Sequence, residues 1–519
     1  MTQATGTKRT FSRRRVLSWA LVSRLSTIVL MVISDELIPD HDPGDGVVAI
    51  PDWSVDCSCF KGHICDPIPR SYDSSCADEE MARKRLNEEP SLWYSGLLSP
   101  LSKWDAARIL SLAVHPAQRR PRSCAVHLQE TCSLTVSEQS HAFLPLVPHV
   151  FGRTALALDQ CVPRRFLPPT FLGTTMLAAL LVNLVAFLVA TIALHDLTLS
   201  KTGGDIHLAE TTCLLFCINP AGVFFSTAYS EAVFSALMFV GYAQAARGNY
   251  HVAMVPWMLA SYTRSNGSMT AVWLILQGVA ASAASCHEKR SLRKQVCVSL
   301  LYFALAILVL LPIMYNDRHG RELHCNSEGS TKPEWCDDER IHSFYAYIQR
   351  KHWNVGFLHY YKLKQIPNFL LATPILCYGT AGVISWIKAS WYALVHTSQP
   401  SLSLISLVQW VWDALARSVD TGSTTASSTS MSLLLSPQML ADYAILAVTC
   451  ILGLTVAHVQ ISTRLICSSC PAIYWFLAHL YTRDQTVVHW LSSRQTVLAY
   501  CIIYNILGII MHVNWLPWT

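Results

Sequence analysis

The chain has 519 residues, 52% of them hydrophobic and only 14% charged, with a mean hydropathy of +0.31. A water-soluble globule of this size carries more surface charge, so that class is excluded, and several windows reach the roughly 18–20 apolar residues that a bilayer crossing needs. The formal charge of +5 resides in short basic connectors and says nothing of nucleic acid, which is not expected as a partner.

Residues 1–15 form a basic N-terminal segment in which Lys8, Arg9 and Arg13–Arg15 precede the first apolar run, Val16–Ser34. Positive residues stay on the cytosolic side, which places this end in the cytosol. The length of the run and Arg24 within it argue against a cleaved signal peptide.

A long polar stretch, residues 35–170, separates this run from the next. It opens with Pro39-Asp40-His41-Asp42 and carries Lys103-Trp104-Asp105 near its centre, then Glu138-Gln139-Ser140-His141. Residues 43–95 and 116–137 are polar, cysteine-rich and aperiodic, and read as insertions. Between them, Leu97–Val114 has the spacing of an amphipathic helix lying on the bilayer surface. Carboxylates at a membrane mouth can serve as a general base toward a hydroxyl acceptor, which makes Asp105, Glu138, Asp40 and Asp42 the candidate catalytic acids. An ordinary solvated loop has the same composition.

The second apolar run is Phe171–Leu194. From Leu208 to Ser285 the sequence is broken by Pro220, Pro256 and Asn266-Gly267, and predicts about four shorter helices. Asn219, Glu231, Arg264 and Asn266 lie in these apolar surroundings, where polar groups line a cavity or pair with one another. Glu231 and Arg264 fit a structural ion pair; equally, Arg264 fits a counter-charge for a lipid phosphate, because guanidinium matches phosphate geometry.

Lys289, Arg290, Arg293 and Lys294 form a second cytosolic connector before Val296–Tyr315. The 316–365 stretch then falls on the same outer side as the Asp105 loop. The last third, 366–519, contains Pro367–Ile387, a Ser/Thr-rich linker at 421–432, Met439–Val459 and Val497–Val513, for roughly 9–11 spans in all. Asn354 and Gln365 in the outer stretch, with Asn368, His458, Gln460 and Arg464 after it, fit a substrate groove; helix ends with snorkelling side chains fit too. The expected fold is therefore an all-α, multipass transmembrane bundle with a large loop between its first two helices.

Nine of the eighteen cysteines lie in the two outer loops: Cys57, Cys59, Cys65, Cys76, Cys124, Cys132 and Cys161 in the first, Cys325 and Cys336 in the second. Disulfides or free thiols suit them better than metal, because Cys57, Cys59 and Cys65 match no zinc spacing. No metal or other cofactor is called for, and no P-loop, GxGxxG turn or HExxH motif is present.

Several strings resemble the GPI mannosyltransferase 2 family, the PIG-V-type enzymes. They are Asn219-Pro-Ala-Gly-Val-Phe-Phe-Ser-Thr-Ala-Tyr-Ser-Glu231, Thr263-Arg-Ser-Asn-Gly267, Trp353-Asn-Val-Gly-Phe-Leu358, Gln365-Ile-Pro-Asn-Phe-Leu370 and His458-Val-Gln460 with Thr463-Arg464. Ser23-Arg24-Leu25, Pro39-Asp-His-Asp42, Trp104-Asp105-Ala106 and Asn514-Trp-Leu-Pro-Trp518 extend the likeness from residue 23 to the end, in order.

The resemblance implies a GT-C glycosyltransferase of the endoplasmic-reticulum membrane with its active site on the lumenal side. Such an enzyme takes mannose from dolichol-phosphate-mannose and adds the second, α1,6-linked mannose to a GPI-precursor glycolipid, with inversion. A small accessory membrane subunit is a further implied partner, and lipids of the reticulum membrane are the surroundings. It also implies an acid in the first lumenal loop, here Asp105, with Arg264 and Arg464 at the leaving phosphate. Arg24, His41, Trp104, His141, Asn219, Glu231, Asn266, Asn354, Gln365, Asn368, His458 and Gln460 are its other substrate-binding candidates. After the Trp-Asp pair the chain departs from the family pattern with Ala106-Ala107-Arg108-Ile109. Competing readings are another lipid-phosphosugar transferase, a transporter or scramblase, and an inactive scaffold of the same fold.

Overall fold

The computed structural model describes residues 2–41, 96–114, 138–168, 171–287, 292–326, 333–338, 341–395, 434–482 and 493–518. Asp42, the cysteine-rich insertions with Cys57, Cys59 and Cys65, and the 421–432 linker lie outside them. Among the described residues the regular structure is all helical.

The helices in chain order are α1 (Thr2–Leu37), α2 (Asp105–Val114), α3 (Leu146–Cys161), α4 (Phe171–Lys201), α5 (Ile206–Cys217), α6 (Glu231–Ala245), α7 (Tyr250–Ser261) and α8 (Met269–His287). They continue with α9 (Leu292–Cys325), α10 (Phe344–Trp353), α11 (Ile366–Val395), α12 (Leu440–Thr455), α13 (Ser462–Ser469), α14 (Pro471–Thr482) and α15 (Arg494–Val513). Five stretches are long and apolar enough to cross a bilayer: Arg9–Leu37, Phe171–Lys201, Gln295–Cys325, Leu363–Tyr392 and Arg494–Val513. Their outward stripes, among them Val29, Val185, Leu300, Phe303 and Ile503, are exposed, as acyl-chain-facing side chains must be.

Helix α4 runs through the centre, packed by α1, α3, α5 and α6. Phe187 from it stacks on Phe216 at 4.8 Å, and Phe216 meets Phe225, Phe239 and Tyr474 edge-on at 5.4–5.5 Å. One end of the bundle is tied by Asp196, which accepts from Arg13 and lies 3.4 Å from Arg9 and 3.1 Å from Arg247.

Between α5 and α6 the chain unwinds inside the bundle, and side chains take up its free backbone groups. Asn219 bridges the turn, donating to the Phe216 carbonyl (2.7 Å) and accepting from the Ala221 N–H (2.9 Å). Arg24, buried at 1% exposure, donates to the carbonyls of Gly222 (2.6 Å) and Cys217 (3.1 Å) and lies over the Phe187 ring. Asn183 donates to the Thr227 and Tyr229 carbonyls at 2.6 and 3.0 Å. Irregular backbone survives at this depth because each of these carbonyls has a donor.

The amphipathic Leu97–Val114 segment differs from expectation. Regular helix begins only at Asp105, and Ala106, Ile109, Leu110 and Ala113 are buried against α3 and α4. Its apolar stripe thus meets protein where the hydrophobic pattern pointed to lipid; periodicity reports that a face is covered, and not by what.

Outside the bundle, α9 continues past Tyr315, and a Cys325–Cys336 disulfide joins its end to the segment that follows. Trp335 of that segment stacks on Phe344 of α10 at 4.8 Å.

Candidate active site

The site forms at the end of α1 remote from the Asp196 cluster. Helix α2 starts at Asp105, so this carboxylate sits at a helix N-terminus, the positive end of the helix dipole. The Asp105 N–H donates to the Tyr229 hydroxyl at 3.1 Å. Burial pushes the Asp105 carboxyl above the ordinary carboxylate range, and the Arg464 and Arg108 guanidiniums pull it back. Trp104, just before it, has a φ of 60°; a left-handed backbone costs an ordinary side chain about 1–2 kcal/mol.

Arg464, on α13, lies 3.8 Å from Asp105 Oδ2 and 3.6 Å from Glu231 Oε1. Arg264 Nη1 approaches the same Glu231 oxygen at 2.5 Å and donates to Ser230 Oγ at 3.2 Å. Glu231 is fully buried (0%), while Asp105 keeps a third of its side chain exposed (33%), so the row opens outward at Asp105. Phe224 and Tyr229 rings lie under the Arg464 guanidinium at 4.7 and 5.4 Å. Five buried polar atoms here lack a protein partner: Glu231 Oε2, the Nε atoms of Arg264 and Arg464, Asn266 Nδ2 and Thr463 Oγ1. Such a concentration of unsatisfied groups marks a place built for a polar ligand or water.

Local sequence explains the placement. Arg264 precedes a short 3-10 turn, Ser265–Ser268, that must lie against α7. A Cβ on Gly267 would come 2.5 Å from the Ala260 and Ser261 backbone, so only glycine lets the turn approach. From α10, the Tyr345 hydroxyl donates to Ser265 Oγ at 3.0 Å, and Asp317 accepts from the Tyr345 N–H at 2.6 Å.

The remaining candidates distribute as follows. Glu138 pairs with Lys351 of α10 at 2.9 Å and lies 3.8 Å from His352. His141 stands 5.1 Å from the His324 ring, and burial lowers its pKa to about 4. Asp40 accepts from Lys103 at 2.7 Å, and the His41 N–H donates to the Asn514 carbonyl at 3.0 Å. Gln365, Asn368 and Tyr360 hydrogen-bond one another at 2.5–3.0 Å, with the His458 ring 3.8 Å from that of Tyr360. Gln460 is half-buried in the turn between α12 and α13. Asn354, at φ 53°, caps α10 and donates to the His359 carbonyl. Arg24, Asn219 and Asn354 thus spend hydrogen bonds on backbone carbonyls.

The residues joined directly in the row are Asp105, Arg464, Glu231 and Arg264. Tyr229, Ser230 and Thr463 stand in strings that the sequence singled out without a role of their own, and Tyr345 was overlooked. The first three neighbour selected residues in the same strings; Tyr345 gave no signal, since nothing in an outer loop links it to residue 265.

Buried ionisable side chains converging at one end of a bundle of apolar helices define a membrane-type protein with a polar, charge-bearing site. Over residues 126–519 the sequence matches the model for Mannosyltransferase (PIG-V), and the chain belongs to that family of glycosyltransferases. It is 27% identical, across 98% of its length, to proteins named GPI alpha-1,6-mannosyltransferase 2 from Cricetulus griseus and Homo sapiens, covering 99% of each. A GPI mannosyltransferase 2 from Drosophila pseudoobscura pseudoobscura is 25% identical over 97% of this chain and 99% of its own. An Archaeoglobus fulgidus oligosaccharyltransferase superposes with a TM-score of only 0.32, at 13% identity over 73% of this chain and 47% of that one.

Proposed function

We propose that this enzyme transfers mannose from dolichol-phosphate-mannose to a GPI-anchor precursor, adding the second, α1,6-linked mannose on the lumenal side of the endoplasmic-reticulum membrane in a GT-C-type bundle. The observation that carries this reading is the row Asp105–Arg464–Glu231–Arg264, an outward-facing carboxylate backed by two guanidiniums. The names of relatives that match along the whole chain support mannose, the α1,6 linkage and a GPI acceptor; dolichol-phosphate-mannose is the donor that the sequence resemblance implies.

In this reading the acceptor hydroxyl oxygen attacks the anomeric carbon from the face opposite the phosphate. The bond from that carbon to the phosphate oxygen breaks, its electron pair leaving with dolichyl phosphate. Asp105 takes the hydroxyl proton, and the anomeric centre inverts in one step. Arg264 and Arg464 stabilise the charge that grows on the leaving phosphate; such donors act strongly because they are already in place and shielded from bulk water. Glu231 holds them there. The reading calls on no cofactor and allows a small accessory membrane subunit.

The test is complementation of cells lacking the second GPI mannosyltransferase, with surface GPI-anchored protein as readout. Wild type restores the signal, and a normally expressed Asp105→Asn does not. Rescue by both proteins would remove Asp105 as the base, and failure of a correctly localised wild type would leave a missing accessory subunit or an inactive scaffold to be separated.

A further inference from the structure

The segment Asn514–Trp518, after α15, has no part in the proposed chemistry, yet it reaches the residue next to Asp105. Trp104 and Trp515 both occupy the left-handed backbone region, with φ of 60° and 59°. Bulky residues rarely adopt it, and surroundings must over-determine them when they do. Here the two indoles meet each other, ring centroids 5.4 Å apart at an interplanar angle of 51°.

The surrounding contacts fix both. Trp104 Nε1 donates to the His512 carbonyl at 3.1 Å. Lys103 Nζ lies 5.5 Å from the Trp515 ring centre while bonding Asp40. Asn514, 1% exposed, donates to Ser34 Oγ at 2.8 Å, and its carbonyl accepts from the His41 N–H at 3.0 Å. Trp518 then lies against Gly508 of α15, where any Cβ would come 2.5 Å from its Nε1. The segment thus ties the end of α15 to the exit of α1 and the start of α2.

The geometry points to Trp515 and Trp104 as a clasp that aims the Asp105 carboxylate: positioning residues that touch neither sugar nor phosphate. This rests on the reading of Asp105 as the base. The backbone turn at Trp104 sets the direction in which α2 begins, and with it where Asp105 stands relative to Arg464 and Tyr229. If Trp515 is removed, residue 104 loses the ring that holds its unfavourable φ and relaxes, turning Asp105 away. A base must come within about 3 Å of the proton it takes, and a misplacement of roughly 1 Å costs on the order of 100-fold in rate.

The experiment measures kcat and donor KM of the full chain in membranes, with a thermal midpoint, for wild type, Trp515→Ala, Trp515→Phe and Asp105→Asn. The clasp predicts that Trp515→Ala lowers kcat about 100-fold with donor KM within about 2-fold. Trp515→Phe recovers most of the rate, and Trp104→Ala added to Trp515→Ala costs little more, because the two act as one unit. Wild-type kcat in Trp515→Ala, or a rise in KM at unchanged kcat, overturns the clasp while leaving Asp105 as the base. Full activity in Asp105→Asn overturns the base assignment, and the clasp with it. Should Trp515→Ala fail to accumulate, the cycle of Trp104→Leu and Trp515→Leu decides: coupled losses in kcat support the clasp and independent ones overturn it.

Discussion

Glu231 and Arg264 lie at the core of the site as a buried pair whose shortest contact, 2.5 Å, uses only one carboxylate oxygen. The other oxygen has no protein partner, and Arg464 approaches the oxygen already in use at 3.6 Å. One acid therefore orients two cations, and removing it leaves both without their nearest common counter-charge.

Glu231→Gln is expected to lower both stability and turnover. Breaking a buried pair on one side costs about 3–5 kcal/mol, because the surviving charge stays uncompensated. A thermal midpoint in detergent, measured beside a mannose-transfer assay, checks this. Arg464→Lys keeps the charge but loses the planar fork and is expected to reduce kcat/KM for the donor by roughly 10²–10³-fold.

The pH profile follows from Asp105. Its carboxyl titrates above the ordinary value of 3.8 because most of its side chain is withdrawn from water, so the acid limb of kcat/KM lies above that value. Arg464 favours the charged form, and Arg464→Gln shifts the limb to higher pH. The stability sign is the reverse of a salt-bridged acid: with the folded pKa raised, ionisation costs the fold stability as pH rises. Asp105→Asn is therefore expected to melt no lower than wild type at neutral pH while losing transfer.

Glu138→Gln tests a different acid. Glu138 faces Lys351, which is nearly half exposed (46%), and an exposed pair of this kind contributes about 0.2–1 kcal/mol. Transfer should stay within about 5-fold of wild type, the rate equivalent of about 1 kcal/mol. A loss comparable to that of Asp105→Asn would bring Glu138 into the chemistry.

Arg24→Met should act on folding. Its guanidinium serves the Gly222 and Cys217 carbonyls inside the bundle, and each carbonyl left unsatisfied costs about 1–3 kcal/mol. Reduced accumulation with near-normal donor KM in the surviving protein is the expected outcome; a raised KM at normal yield would move Arg24 to the substrate.

The membrane class and the broken region from 208 to 285 were legible because apolar length and its interruptions are local properties. Arg264, Glu231 and Arg464 stood out because charge inside an apolar run needs a reason. What each charge faces is non-local. Arg24 and Arg264 look alike in sequence, yet one serves backbone carbonyls and the other a carboxylate. Asp40 stood behind Asp105 among the candidate acids, and nothing in its string shows that Lys103 takes it up. The pairing of Trp104 with Trp515 joins residues far apart in the chain, and neither string hints at its partner.

The Cys325–Cys336 bridge has a consequence for where the enzyme can mature. Trp335, next to one of these cysteines, supports Phe344 of α10, and α10 carries the tyrosine that reaches the Arg264 turn. A thiol pair closes durably only in an oxidising compartment. Copies inserted upside down, or held under reducing conditions, would lack this prop beneath α10. In the lumenal orientation proposed above, the bridge and the wall of the site it supports are completed together, on the side of the membrane where the thiols can be oxidised.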